Sequence, residues 1–148
     1  MKIIIQHDQM DCGPACLAMV ASNYGKNYTL QYLRDYSFIT KEGVSLLGIV
    51  EASKKIGFEP IPVKLTLEKL VNSKDSLPCI LYWGKNHFVV LKKIKRRPWS
   101  SEIVFQIADP GHGLILIKEI EFLKYWISNN NMGIALFLKP TEVFYEKS

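Results

Sequence analysis

The period of the apolar residues changes at Phe58, and that change restricts the fold more than any other feature of the sequence. Before it, apolar residues recur at helical spacing. Residues 15–24 set Cys16, Met19 and Val20 on one stripe, with Leu17 and Tyr24 beside it and Gly25 as the stop. Thr29 can cap a short second helix to residue 36, with Leu30 and Leu33 turned inward. After a polar loop ending at Gly43, Ser45 caps a third helix over 46–56, closed by Gly57. Beyond Phe58 the pattern is that of strands. Residues 58–65 alternate around Ile61 and Val63, and Pro60 and Pro62 suit only an edge strand. Strands follow over 79–83, 87–94, 103–109, 114–117 and 134–138, with helices over 66–72 and 119–127. In the last helix Ile120, Leu123 and Ile127 align as the inward face. Helices first and a mostly antiparallel sheet second is an α+β order. With no repeat, low-complexity segment or linker, residues 1–148 read as a single domain.

Composition narrows the function. At 48% hydrophobic over 148 residues the chain can fill one real core. No apolar run approaches the ~18 residues needed to cross a bilayer, and the start Met1-Lys2-Ile3-Ile4-Ile5 is too short for a secretory signal. A soluble, cytoplasmic chain is expected, either alone or as one domain of a larger membrane protein. Three cysteines, an odd number, do not make a disulfide framework. The short Cys and His spacings of a zinc site are missing, so no metal or other cofactor is expected. The net charge of +5 concentrates in Lys92, Lys93, Lys95, Arg96 and Arg97. That run reads as a solvated hairpin tip or as a contact for an anionic surface. No nucleic-acid motif accompanies it, and no nucleic-acid partner is expected.

The chemistry gathers in Gln6-His7-Asp8-Gln9-Met10-Asp11-Cys12-Gly13-Pro14-Ala15-Cys16. Pro14 suits a first helical turn, where its missing N–H costs nothing. Cys12 then sits among unpaired backbone N–H groups at the positive end of the helix dipole, a place that favours a thiolate. Gly13 leaves room for a substrate backbone. Gln6, if its loop folds back, can join the Cys12 N–H in binding the oxygen of a tetrahedral intermediate. Taken alone, such a cysteine is more often a small buried hydrophobe than a nucleophile. Cys79, inside Pro78-Cys79-Ile80-Leu81-Tyr82-Trp83, reads as inert core, and Cys16 as core or a metal partner.

A base and its orienter come from one hairpin. His87 opens the strand His87-Phe88-Val89-Val90-Leu91 after a turn at Gly84-Lys85-Asn86; His7 and His112 lie in loops. Antiparallel pairing about a loop centred near Pro98 sets His87 opposite Asp109, with Cβ atoms ~4.5–5.5 Å apart. A carboxylate there would orient the imidazole and favour its charged form. Asp109-Pro110-Gly111 also makes an ordinary turn, and a register slip of one residue would separate the pair.

Together these stretches resemble the papain-like cysteine peptidase domain at the amino terminus of bacteriocin-exporting ABC transporters. The resemblance rests on Gln6, Asp11-Cys12-Gly13, Ala15-Cys16-Leu17-Ala18-Met19, His87-Phe88-Val89-Val90-Leu91 and Asp109-Pro110, and it covers essentially the whole chain. It implies a thiol endopeptidase that cuts the leader from a secreted precursor peptide after a double-glycine-type sequence. By the same match Cys12 is the nucleophile, His87 the general base and acid, Asp109 the orienter, and Gln6 with the Cys12 N–H the oxyanion hole. The implied partners are a precursor with an amphipathic helical leader and the transmembrane and ATP-binding domains of an exporter, which places the domain on the cytoplasmic side of the membrane. Two other classes stay open: a module that docks leaders without cutting them, and a Cys-His-Asp acyltransferase.

Overall fold

The computed structural model describes residues 1–6, 11–37, 45–84, 86–128 and 130–146. His7, the polar loop ending at Gly43 and Lys85 of the expected turn lie outside them. Helix α1 (Cys12–Asn23) begins at the cysteine itself and is buried from Cys12 through Ala21 on every side. It is a core helix, not the one-sided stripe the sequence suggests. Helix α2 (Leu30–Asp35) and helix α3 (Leu46–Lys55) begin as expected. The Tyr32 N–H donates to Thr29 Oγ1 at 3.1 Å and the Gly48 N–H to Ser45 Oγ at 3.2 Å.

The second half forms one six-stranded sheet from β1 (Phe58–Leu65), β2 (Cys79–Trp83), β3 (His87–Arg96), β4 (Ile103–Asp109), β5 (Gly113–Lys118) and β6 (Gly133–Pro140). The strand order is β1-β6-β2-β3-β4-β5, and each ladder is antiparallel. Strand β1 takes the edge, as Pro60 and Pro62 require, because neither can donate to a second neighbour.

Both faces of the sheet are covered. Phe88, Val90, Leu136 and Leu138 pack beneath Cys16, Leu17, Met19 and Ile49 of the amino-terminal helices. Val89, Leu91, Phe105, Ile107 and Ala135 pack on the other side. That second face is closed by α4 (Leu67–Asn72) and α5 (Glu119–Trp126). The final helix α6 (Glu142–Glu146) adds Phe144 to the first core.

Helix α5 faces inward differently from the sequence expectation. Phe122 and Trp126 are its buried residues, while Ile120 is 79% exposed and Leu123 and Ile127 are half-buried. The two faces lie about a third of a turn apart on the helix, and the aromatic pair wins because it buries more area. Phe122 stacks on Phe105 with centroids 3.9 Å apart, and Trp126 Nε1 donates to the Ile134 carbonyl at 3.1 Å. Gly133 allows this approach, since a Cβ there would enter the Trp126 ring.

Candidate active site

Three elements converge at one end of the sheet. Cys12 is the first residue of α1 and is 3% exposed. His87 is the first residue of β3 and Asp109 the last of β4. His87 Nε2 lies 2.7 Å from Asp109 Oδ1. That pairing commits one ring nitrogen and leaves Nδ1 for Cys12, whose thiol is also a hydrogen-bond partner of the imidazole.

The ladder that brings them together differs from the expected one. Val90 faces Ala108 and Leu91 faces Ile107, and a bulge intervenes between Leu91 and Lys93. Continued toward the site, this register sets Val89, not His87, across from Asp109. The offset is two residues, so it leaves His87 and Asp109 on the same face. They become diagonal neighbours, a separation that a histidine can span.

Asp109 is held from three directions. Besides His87, its Oδ1 accepts the Gly111 N–H at 2.8 Å, and its Oδ2 lies 3.1 Å from His112 Nδ1. The Asp109-Pro110-Gly111-His112 turn, closed by the His112 N–H on the Asp109 carbonyl at 3.0 Å, sets that second imidazole in place. The Gln6 N–H donates to the Pro110 carbonyl at 2.9 Å, which ties the amino-terminal segment to the same turn. The Gln6 Oε1 is buried and has no hydrogen-bond partner among the described residues.

Asp11 does not cap α1 with its side chain. Its carboxylate, 1% exposed, instead takes both arms of Arg34 from α2, at 2.9 Å from Nε and 2.7 Å from Nη2. This two-point pair fixes the residue that precedes Cys12. Nothing in the local sequence announces it, because its partners stand 23 positions apart.

The electrostatics follow from these contacts. The hydrogen bond with Asp109, then that with Cys12, raise the His87 pKa to about 9 against the opposing effect of burial. Burial pushes the Asp109 pKa upward, but hydrogen bonds from His87, Gly111 and His112 outweigh it and leave a net lowering. The imidazole is therefore charged and the carboxylate ionised at neutral pH. Burial raises the Cys79 and Cys16 thiols well above the usual range, and Cys16 is raised further by its electrostatic coupling to neighbouring Cys12 and Asp109. Both are buried without exposure, and no group of His, Cys, Asp or Glu among the described residues could hold a metal ion.

A cysteine opening a core helix, facing an imidazole that a carboxylate holds from behind, is the arrangement used by thiol peptidases of papain-like layout. The family comparison is specific: the chain belongs to the peptidase C39 family, a family of cysteine peptidases, whose model matches residues 1–142. It is 33% identical over 148 residues to the colicin V secretion/processing ATP-binding protein of Escherichia coli, covering 100% of this chain and 19% of that protein. It is 37% identical to the lactococcin-G-processing and transport ATP-binding protein of Lactococcus lactis subsp. lactis, covering 94% of this chain and 19% of that one. The chain thus spans about a fifth of the length of these relatives. A double glycine motif protease from an AMS/PCAT transporter, solved in complex with the leader peptide, superposes with a TM-score of 0.82 at 33% identity, covering 95% of this chain and 91% of that one. The peptidase domain of Streptococcus ComA, a bi-functional ABC transporter, gives 0.78 at 35% identity, with 95% and 98% covered.

Proposed function

We propose that residues 1–148 act as one peptidase unit that removes the leader from a secreted, bacteriocin-like precursor peptide after a double-glycine-type motif. The observation that carries this reading is the imidazole of His87, bound on one side by Asp109 at 2.7 Å and on the other by Cys12 at the start of α1. The Cys12 thiolate attacks the scissile carbonyl while His87 holds the proton. The Cys12 N–H and the Gln6 carboxamide receive the oxyanion. His87 then protonates the leaving amine, and water, deprotonated by His87, hydrolyses the thioester and frees Cys12. Asp109 keeps the ring aligned throughout.

The relatives named for processing and transport, and the leader-bound structural neighbour, support the same substrate class for this chain. The partners are then a precursor with an amphipathic helical leader and the transmembrane and ATP-binding domains of an exporter. No helix among the described residues is long and apolar enough to cross a membrane. We place the unit on the cytoplasmic side, where the uncut precursor is made. The test is incubation with precursors encoded nearby, followed by mass spectrometry of the fragments. One cut directly after the paired small residues is expected. Leader binding with no cleavage, or transfer of the acyl group to an added amine in preference to water, would replace the peptidase reading.

A further inference from the structure

The peptidase chemistry leaves the far end of the β3–β4 hairpin unexplained. Residues 92–99 carry five cations and no acidic group, and they end in Trp99. Trp99 is 97% exposed, whereas Trp83 and Trp126 are 6% and 2% exposed. Nothing in the fold calls for an indole there, since it packs on no core residue. Lys95 and Arg96 beside it are exposed, and Glu102 is the one acidic group at the tip, paired to Arg97 at 3.2 Å and to Lys118 at 3.5 Å. Cations at this end of the sheet thus come from β3, the loop after it and β5.

We propose that this tip docks on an anionic lipid surface, with Trp99 at the headgroup level and the surrounding cations on the lipid phosphates. The composition of the tip favours lipid over other acidic partners. Trp99 is the one aromatic in residues 92–102, so the tip offers no second ring for stacking bases, and the cavity bordered by Lys92, Lys93 and Ile94 lies back along β3 and not at the apex. The tip does suit a bilayer interface, where an indole sits half-wet and Lys and Arg stems lie along apolar surface with their charges outward. Juxtaposed cations add attraction to anionic headgroups. Strand β3 separates the tip from His87 by ten residues, roughly 30 Å at strand rise. Docking there leaves the catalytic end open to water. The inference stands on the hairpin alone and is independent of the peptidase reading.

The 148-residue chain is mixed with vesicles of phosphatidylcholine, with or without phosphatidylglycerol, and followed by co-sedimentation and tryptophan emission. Because two of the three tryptophans are buried, a shift in emission reports Trp99. Expected are sedimentation with phosphatidylglycerol vesicles, a blue shift, and loss of both as salt rises. Trp99→Ala should remove the blue shift and weaken sedimentation. Lys95→Glu and Arg96→Glu should each weaken it about fivefold or more, with unchanged circular dichroism. Absence of phosphatidylglycerol-dependent binding would overturn the proposal, as would binding without a blue shift. So would a larger Trp99 shift with poly-glutamate or single-stranded DNA, which would assign the tip to an acidic polypeptide or a nucleic acid.

Discussion

At the scale of single residues, the candidate site runs from Cys12 through His87 to Asp109, with His87 between a thiol and a carboxylate. With the His87 pKa raised to about 9, activity should fall on the alkaline side near that pH, where the imidazolium is lost. Asp109→Asn removes the first cause of the elevation, so the alkaline limb should move toward lower pH as the rate drops. The same shift bears on folding. His87 contributes stability that is complete below its ordinary value of 6.5 and is lost as pH rises through about 9. The lowered Asp109 acts oppositely, contributing above its ordinary value and losing that contribution as pH falls through its lowered one. Denaturant titrations across pH would show both slopes. Gln6→Ala should cost ~10²–10³ in catalytic rate with little change in KM; an unchanged rate with a raised KM would move Gln6 into substrate recognition. His112 is 78% exposed at its side chain, so His112→Ala should cost no more than about fivefold in rate, the range of exposed ion pairs. Much of this was legible in the sequence, because a cysteine before Gly13-Pro14 and a histidine at a strand rim are local signals. The His112 contact was missed, although an aspartate three residues before a histidine across a turn is a signal for it.

At the scale of elements, the positions of those residues depend on contacts that no local pattern reveals. Helix α2 serves the site through Arg34, whose guanidinium neutralises the buried Asp11 beside Cys12. Arg34→Ala leaves that carboxylate uncompensated and should lower stability by about 3 kcal/mol, the low end for a broken buried pair because Arg34 is itself a third exposed. Thermal unfolding measures it, and an unchanged midpoint would show that Asp11 finds another partner. The hairpin register was only partly legible. The hairpin turns between residues 99 and 100 and not at Pro98, a register difference of three, and the unmarked bulge after Leu91 takes one residue back, so counting outward from Pro98 lands two residues away. Even that miss kept the correct face, because strand side chains repeat every two residues. The inward face of α5 was misjudged because its sequence offers two apolar stripes, and only packing on Phe105 and Gly133 chooses between them. Gly133→Ala should therefore destabilise by roughly 1–3 kcal/mol, as Trp126 is forced off β6.

For the whole molecule, helices on one sheet face and α4 and α5 on the other hold a rigid rim on which residues 97 positions apart meet. The change of period at Phe58 made this α+β order readable, whereas the covering of both faces follows from central strands that are apolar on both sides. On the proposed function, the molecule should discriminate at two distances. Valine in place of the small residues before the cut should block cleavage, and alanine in place of apolar leader anchors should chiefly raise KM. Equal rates for all variants at all concentrations would describe a general peptidase. The most direct test of the central claim uses a leader ending in Gly-Gly chloromethyl ketone, with the adduct located by peptide mass mapping. The expected result is one adduct per chain on Cys12, cleavage lost in proportion, and slower labelling in His87→Ala. Label on Cys16 or Cys79, or cleavage that survives complete modification of Cys12, would contradict the assignment.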